Sequence, residues 1–533
     1  MRVLGVSGRD REAAAALAVD GRVVAAASEE CFTRVPGIGY TLTGGFPTAA
    51  VDACLRSANL DARDLDELTI VEAGGAPRDD EAATIRRAIG DVPVTPIAAV
   101  RADAVQAAAA SAEATTVLVV GSEPGSMAAF IKVHDELRPH GLVAGGDHLL
   151  AASHVIAERL GVDASDPYRS IDRLSLGGEP EFDAALAPAL FWKSGAGVVV
   201  DEPKIGAWLD AVSGAHAGEL RNATSLNVRV QAARRAIAAS WTYRLAHVVR
   251  DAAQGVTPGT DLDRVAFGGA MFANPRLSTE LRRLAGDDLA LAAVPGLAGR
   301  ALGAALAGSG DTGHGLPGLA LGPAFSDADI KRTLDNCRLD YVYEPDWARL
   351  FARVSKMLTQ GKVVGWFQGA MGFGPRAMGT RSVLADPSSR YARQNMNEYL
   401  RQVPLDEPLP VVFAPSAVAA CLERTPGSAR VFDAPVAGAW RDKLAAALDW
   451  RHEVRVHAVQ AAESRPLCEL LEVHFARTGV PALIETNLAG PGEPVACTPR
   501  DAVRTVFSSA IDALVLGQFV LMKDYWLLRN NAD

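Results

Sequence analysis

The segment FQGAMGFGPRAMGTRS, residues 367–382, combines glycines, a proline and two arginines directly after the apolar run 363–366. The apolar run predicts a strand, and glycines let the following backbone turn tightly and approach a ligand closely. Arg376 and Arg381 supply planar guanidinium groups that suit phosphate or carboxylate. We therefore expect a ligand-binding turn here, with Arg376 as the better candidate for a phosphate contact.

The composition is that of a globular protein with more than one domain. The chain has 533 residues, 49% of them hydrophobic, and a formal net charge of -10. This length is too great for one core, and the negative charge argues against a general nucleic-acid surface. No apolar run reaches the ~20 residues of a membrane-spanning helix. Six scattered cysteines and a start without a signal-peptide pattern predict a reduced, cytoplasmic protein without a disulfide framework.

The first 300 residues contain a strand, a hairpin, a further strand and a helix, and later a second unit in which a strand runs into two glycines. A hairpin turn is predicted at Asp20-Gly21, and glycine turns follow two later strands, at 121–125 and at Gly268-Gly269. The predicted strands are 2–6, 13–19, 23–27, 68–71, 117–120 and 263–267, and the predicted helices are 46–59 and 228–253. This order is typical of an actin-like ATPase fold, in which glycine turns face nucleotide phosphates.

Residues 315–326 are rich in glycine and proline, which predicts a linker. We place the domain boundary near Pro323, giving a first domain 1–322 and a second domain 323–533. The second domain is also predicted to be α/β. Its predicted helices are 346–360, 389–401 and 499–508, and its predicted strands are 363–366 and 482–486.

Residues 367–382 resemble the signature WFQGRMEFGPRALGNRS of the antibiotic and Nod-factor O-carbamoyltransferases, with Ala370 and Gly372 in place of Arg and Glu. The resemblance continues through residues 5–34, through VLADP at 383–387, through FAPS at 413–416 and through 478–521. The chain is identified as a divergent member of this family.

The resemblance implies an N-terminal actin-like (Kae1-like, ASKHA) domain and a C-terminal YrdC-like α/β domain. In that family the YrdC-like domain makes carbamoyl adenylate from carbamoyl phosphate and ATP. The Kae1-like domain holds iron and passes the carbamoyl group to an acceptor hydroxyl. The expected setting is antibiotic or other secondary metabolism.

The positions that bind iron in the family are replaced. Its HHxxHA motif aligns with residues 102–107, so that Ala102 and Gln106 stand at two ligand positions, with Asp103 the one oxygen ligand nearby. Gly121 and Leu297 occupy the other two positions. Because alanine, glycine and leucine cannot coordinate a metal, we expect no iron site, while ATP stays a possible cofactor.

The family's His-Asp general-base pair aligns with Arg11 and Glu12. Glu12, or Asp10 after a small shift, suits this role, although a solvated polar turn is an equally good interpretation. Gly268, Gly269 and Asn274 are the nucleotide-binding candidates, and a tight strand-to-helix turn is their alternative.

The predicted carbamoyl-phosphate pocket keeps Arg376 and Arg381 but has lost other cations. The family's basic positions are occupied here by Leu405, Glu407, Val411 and Pro491, and its NTSFN motif becomes ETNLA at 485–489. With fewer cations, such a pocket attracts a multiply charged phosphate less strongly. The remaining substrate-binding candidates are Thr486, Asn487, Gly492 and Glu493.

Cys31 stands where the family has arginine, and we expect a buried thiol because no histidine lies nearby to activate it. The ten histidines, including His148 and His154, show no metal-binding spacing.

Three functions fit these observations. The preferred one is a metal-independent carbamoyl or acyl transfer to a small-molecule acceptor, because both domains, Arg376 and the turn at 492–494 are kept. The others are a catalytically silent partner of an active carbamoyltransferase, and conventional O-carbamoyl transfer from ATP and carbamoyl phosphate. The expected partners are a small-molecule acceptor or biosynthetic intermediate and a homodimer or second biosynthetic enzyme, with no nucleic acid or membrane.

Overall fold

A computed structural model describes residues 1–72, 79–121, 127–134, 136–214, 219–221, 227–310, 316, 318–405, 407–425 and 429–523. The helices are α1 (Glu30–Thr33), α2 (Thr48–Ser57), α3 (Asp79–Ile89), α4 (Ala99–Ala108), α5 (His148–Leu160), α6 (Pro167–Ser175), α7 (Asp183–Leu186), α8 (Glu202–Ser213), α9 (Val228–Val256), α10 (Pro275–Ala285), α11 (Arg300–Gly308), α12 (Asp327–Asn336), α13 (Trp347–Thr359), α14 (Ala392–Gln394), α15 (Val418–Cys421), α16 (Ala461–Thr478) and α17 (Pro499–Phe507).

The strands are β1 (Arg2–Ser7), β2 (Ala14–Val19), β3 (Arg22–Ser28), β4 (Glu67–Glu72), β5 (Val94–Ala98), β6 (Thr116–Val120), β7 (Met127–Val133), β8 (Glu136–Leu142), β9 (Leu190–Lys193), β10 (Gly197–Val200), β11 (Val265–Gly268), β12 (Ala290–Leu291), β13 (Val342–Tyr343), β14 (Val364–Phe367), β15 (Arg381–Ala385), β16 (Val411–Phe413), β17 (Val431–Pro435), β18 (Glu453–His457), β19 (Ala482–Asn487), β20 (Ala513–Leu516) and β21 (Phe519–Met522). None of the helices in the described residues is long and apolar enough to cross a membrane.

Two sheets in the first 300 residues repeat one strand order. They run β3-β2-β1-β4-β5 and β8-β7-β6-β11-β12. In each sheet three antiparallel strands form a meander, and two further strands add in parallel. The repeat agrees with the predicted actin-like arrangement. The hairpin prediction is confirmed, since Asp20 and Gly21 both have positive φ, as a two-residue turn of this kind requires.

A mixed nine-stranded sheet follows, in the order β13-β21-β20-β14-β15-β19-β16-β18-β17. β14 lies near its centre and is fully buried, as the apolar run 363–366 predicts. The helix predicted over 389–401 is instead a short α14 followed by a π-helix at Asn395–Arg401. The Asn397 side-chain amide donates to the carbonyls of Leu405 and Glu407, which connects the π-helix to the next loop. Parts of the predicted glycine turn 121–125 and linker 315–326 lie outside the described residues.

Candidate functional site

Arg376 lies in the turn between β14 and β15, and Asn487 at the end of β19 holds this turn in place. The Asn487 Nδ2 donates to the Pro375 carbonyl at 2.9 Å, and its Oδ1 accepts from the Ala377 amide at 2.8 Å. The Arg376 side chain is partly buried and has no hydrogen-bond or ion-pair partner among the described residues. Burial, together with the nearby Arg455 cation, lowers the pKa of Arg376 to about 10. A guanidinium held rigidly without a counter-ion is suited to bind an anion.

The cavity beside Arg376 is lined from both halves of the chain. It measures about 40 Å³, and its walls include Arg169, Val294, Phe373, Met378, Arg430 and Val431. Arg169 donates to Glu12 at 2.6 Å, and Arg430 pairs with Glu463. Of the cations lining this cavity, Arg376 alone lacks a partner within the described ranges.

One face of β18 borders this region. Glu453, Arg455 and His457 alternate along the strand with two valines and are all buried. Arg455 forms two hydrogen bonds to Asp172 of α6, at 2.6 and 2.9 Å, and two to Asp433 of β17, at 2.8 and 3.1 Å. This paired face therefore fixes the last sheet against the first half of the chain.

Next to Arg455, His457 forms a buried carboxylate–imidazole pair. Its Nδ1 lies 2.5 Å from Oε2 of Glu485, and the other oxygen of Glu485 accepts from the hydroxyl of Ser382. Burial lowers the pKa of His457, and the Arg376 and Arg455 cations add to this effect against the pull of Glu485. His457 was not among the residues predicted from the sequence, although the alternation EVRVH at 453–457 indicates a strand with one charged face.

Arg381 has a different role from Arg376, although both belong to the same segment. Its side chain is fully buried, and its guanidinium donates to the carbonyls of Gln368, Thr380, Pro323 and Gly369. The ring of Phe367 lies 3.6 Å from the guanidinium carbon. These contacts correct the expectation of a ligand contact, because the guanidinium instead ties the turn to the chain around Pro323.

The other predicted donor-site residues lie at varied depths. Thr486 is partly buried on β19, opposite Val383. Gly492 and Glu493 lie in an exposed turn, where Glu493 pairs with Arg504 at 2.8 Å. At the positions of the lost cations, Leu405 is exposed, Glu407 pairs with Arg401 and Arg173, and Val411 is buried in β16.

A larger cleft of about 400 Å³ opens in the first half of the chain, and its walls include Glu12, Gly121, His154, Arg169, Leu297 and Arg300. Glu12 reaches it with a positive φ of 51° and pairs with Arg169. Asp10 is exposed and does not line the cleft. The structure thus favours Glu12 over Asp10 as the acceptor-side carboxylate. Arg169 lines both the cleft and the Arg376 cavity, so the two adjoin.

The residues that align with the family's iron ligands do not fit a metal ion. Gln106 donates to the Val294 carbonyl at 2.9 Å, and Ala102 is buried beside it on α4. The Asp103 carboxylate pairs with Arg300 Nε at 3.1 Å, so a guanidinium stands against the one nearby acid. In the part of the chain that the structure describes, no group of three or more His, Cys, Asp or Glu side chains is arranged to hold a metal.

The predicted nucleotide-binding turn is closely packed. A Cβ on Gly268 would lie 2.9 Å from both the Asp103 carbonyl oxygen and the Ala107 methyl, and one on Gly269 would lie 2.2 Å from the Val120 carbonyl oxygen. Asn274 caps α10 by accepting from the Leu277 amide at 2.9 Å. These contacts agree with a tight strand-to-helix turn, and nucleotide binding here stays a prediction.

The remaining residues singled out from the sequence are Cys31, His148 and His154. Cys31 is buried in a small cluster with Cys497, and burial raises the pKa of its thiol well above its usual range. This agrees with the expected inert thiol. His148 is exposed near Asp147 and Glu202, and His154 is partly buried at the cleft.

The fold and the site define an α/β protein in which the Arg376 guanidinium lines a cavity between the first half of the chain and the last sheet. Residues 355–523 match the family model described as the carbamoyltransferase C-terminus. Nodulation protein NolO of Bradyrhizobium diazoefficiens is 27% identical over 54% of this chain and 55% of its own length. Nodulation protein NolNO of Sinorhizobium fredii is 28% identical over 50% and 40%. An uncharacterized Synechocystis protein is 31% identical over 39% and 37%.

The match over residues 355–523 supports membership of the carbamoyltransferase family. The chain spans only 37% to 55% of the length of these three relatives. Among solved structures, full-length HypF in its phosphate- and nucleotide-bound form is 11% identical, with a TM-score of 0.35 over 58% of this chain and 46% of HypF.

Proposed function

We propose that this chain transfers a carbamoyl or related acyl group from a phosphorylated donor to a small-molecule acceptor, without iron. The observation that carries the proposal is the unpartnered guanidinium of Arg376, fixed by Asn487 in a cavity between the two parts of the chain. The phosphate of a carbamoyl or acyl phosphate would pair with the Arg376 guanidinium. We assign the donor to the second domain, 323–533, as a YrdC-like unit, and the acceptor to the Kae1-like domain 1–322.

The acceptor would occupy the adjoining cleft that contains Glu12. The Glu12 carboxylate lines this cleft and would accept the proton of an attacking hydroxyl. Metal-independent transfer is supported by the Asp103–Arg300 pair, which places a cation where the family would hold iron. The six cysteines are free thiols, which supports a reducing, cytoplasmic setting.

The cavity beside Arg376 measures about 40 Å³, far less than the ~300 to 1,000 Å³ of typical ligand pockets. Donor binding therefore requires the turn to open. The glycines flanking Arg376 suit this movement, because Gly374 and Gly379 already have positive φ values of 114° and 82°.

The test is binding and turnover of carbamoyl phosphate by the full chain, measured by thermal shift and mass spectrometry with Mg-ATP present. We expect carbamoyl phosphate to raise the melting temperature of the wild type, and Arg376→Ala to weaken its binding about 10- to 100-fold, the effect of losing a charged hydrogen bond. Arg349→Ala is the matched control, since Arg349 is exposed and far from the turn in sequence.

Fe(II), added without oxygen, should leave both the melting temperature and the turnover unchanged. Stoichiometric iron binding that is required for turnover would show instead a conventional carbamoyltransferase. A wild-type chain that binds neither carbamoyl phosphate nor ATP would refute the proposal and favour the silent-partner function.

A further inference from the structure

The His457–Glu485 pair is a buried titratable group beside the Arg376 cavity that the proposed function leaves unused. Residues paired directly across two strands present their side chains on the same face. His457 is paired in this way with Val431, which lines the cavity. The imidazole therefore lies on the face of the sheet that the cavity borders.

The two ring nitrogens of His457 have different environments. Nδ1 is engaged by the Glu485 carboxylate. Nε2 is not fully buried and has no hydrogen-bond partner in the described part of the chain. A carboxylate behind one nitrogen orients the ring and leaves the other nitrogen for an incoming group.

We infer that His457, oriented by Glu485, contacts the donor phosphate together with Arg376 and gives its proton to the phosphate as it leaves. This inference rests on the proposed function, because it requires a phosphorylated donor at Arg376. His457 is then a catalytic residue and Glu485 is its positioning residue.

The bonds and protons of the transfer step balance. The acceptor oxygen forms a bond to the carbonyl carbon, and the bond from that carbon to the phosphate oxygen breaks, leaving its electron pair on the phosphate. The proton on Nε2 of His457 moves to that oxygen. The acceptor's own proton leaves to a base of its cleft, and His457 regains a proton from solvent when the next donor binds.

The charges around the ring explain how His457 acquires this proton. They are Glu485 from β19, Arg376 from the turn, Arg455 on the same strand, and Asp433 and Asp172, which both pair with Arg455. In the free protein the imidazole is held neutral at pH 7, because burial and the two arginines lower its pKa. A dianion at Arg376 reverses this, since an opposite charge within a few ångströms raises a histidine pKa by about 1 to 3 units.

Anion binding should therefore take up a proton, and this can be measured without turnover. Sulfate is the probe, because it mimics a phosphate dianion and does not titrate near neutral pH. Isothermal titration calorimetry at pH 7.5 in buffers of different ionisation enthalpy gives the number of protons taken up. We expect a net uptake of protons when sulfate binds, and an affinity that falls as the pH rises above neutrality.

His457→Gln should bind sulfate without proton uptake and show a flat pH dependence, whereas His148→Gln, at an exposed histidine, should behave as the wild type. Glu485→Gln should lower the uptake at pH 7.5, because the imidazolium loses its carboxylate. Unchanged melting temperatures would establish that each variant is folded. If the melting temperature shows that His457→Gln is not folded, the proton uptake of Glu485→Gln tests the role of His457 instead.

The outcomes separate this inference from the proposed function. Sulfate binding that needs Arg376 but takes up no proton in the wild type would overturn the role of His457 and leave the proposed function standing. Equal uptake by the wild type and His457→Gln would do the same. Absence of binding to the wild type by both sulfate and carbamoyl phosphate would overturn both.

Discussion

Replacing Arg455 by leucine tests whether the paired face of β18 holds the two parts of the chain together. Arg455 is 7% exposed and makes four hydrogen bonds, two to Asp172 and two to Asp433. Asp172 is 3% exposed and Asp433 is 6% exposed. Leucine removes all four bonds. Asp172 would still accept a hydrogen bond from the backbone amide of Arg276, at 2.9 Å. Asp433 would still face the guanidinium of Arg276, at the longer distance of 3.7 Å.

The expected loss is about 3 to 5 kcal/mol, the cost of leaving buried charges without their partner. The effect should depend on pH. Although burial alone would raise the pKa of Asp433, Arg455 is the main cause that brings it below its usual value. That stabilisation is present above the unfolded pKa of about 4 and is lost as the pH falls through the folded value. In the variant the Asp433 carboxyl protonates at higher pH than in the wild type, so the difference in stability between the two proteins should narrow between pH 7 and pH 4.

Urea unfolding followed by circular dichroism, at pH 7, 5.5 and 4, measures this difference. Arg465→Leu is the control, because Arg465 is 79% exposed in its pair with Glu469 and its loss should leave the stability close to that of the wild type. Adding Asp172→Asn to Arg455→Leu should cost less than the sum of the two single changes. A loss under 1 kcal/mol at pH 7, or a difference that widens on acidification, would refute the reasoning.

Three further changes follow from the site. Asn487→Ala removes the two hydrogen bonds that hold the Arg376 turn, so we expect a loss of about 1 to 2 kcal/mol in urea unfolding and at least tenfold weaker carbamoyl phosphate binding by calorimetry. Unchanged affinity would contradict a preformed turn. Arg381→Met leaves four buried carbonyls without their donor and should destabilise by about 3 kcal/mol, measured by the same unfolding. Burial raises the pKa of Asp449 to about 6, so its charge is unfavourable above that pH. Asp449→Asn should therefore be about 2 kcal/mol more stable at pH 8 and equal to wild type near pH 4, by scanning calorimetry.

Features set by neighbouring residues were predictable from the sequence. The hairpin at Asp20-Gly21 follows from backbone preferences within the turn, and β14 follows from an apolar run. The actin-like order of the first half was predicted only in part, since β5, β7, β8 and β12, which complete the repeat, were not predicted. Helix α17 begins at Pro499, where Thr498 and Asp501 form a capping box.

Features set by distant residues were not predictable. Arg376 and Arg381 stand five residues apart in one motif, and only the folded turn shows that one is free and the other bonded to four carbonyls. The alternation at 453–457 indicates a charged strand face, yet Asp172, the partner of Arg455, lies 283 residues away in the sequence. The pairing of His457 with Glu485 likewise needs the sheet order that brings β18 near β19.

The buried charged face of β18 connects the contact between the two parts of the chain to the proposed donor site. Arg455 locks α6 to β17 and also adds positive charge beside His457. Separating the two parts of the chain to admit a donor would break four hydrogen bonds between buried charges, which costs several kcal/mol. Moving the glycine-flanked turn breaks the two bonds made by Asn487 and the bonds of Gly379 to Ser382, Glu485 and Ser464. These bonds involve backbone groups of the turn and separate no pair of buried charges, so we expect access to Arg376 by movement of residues 374–379 while the interface stays closed. The charges that keep His457 neutral then remain in place until the donor's own charge arrives.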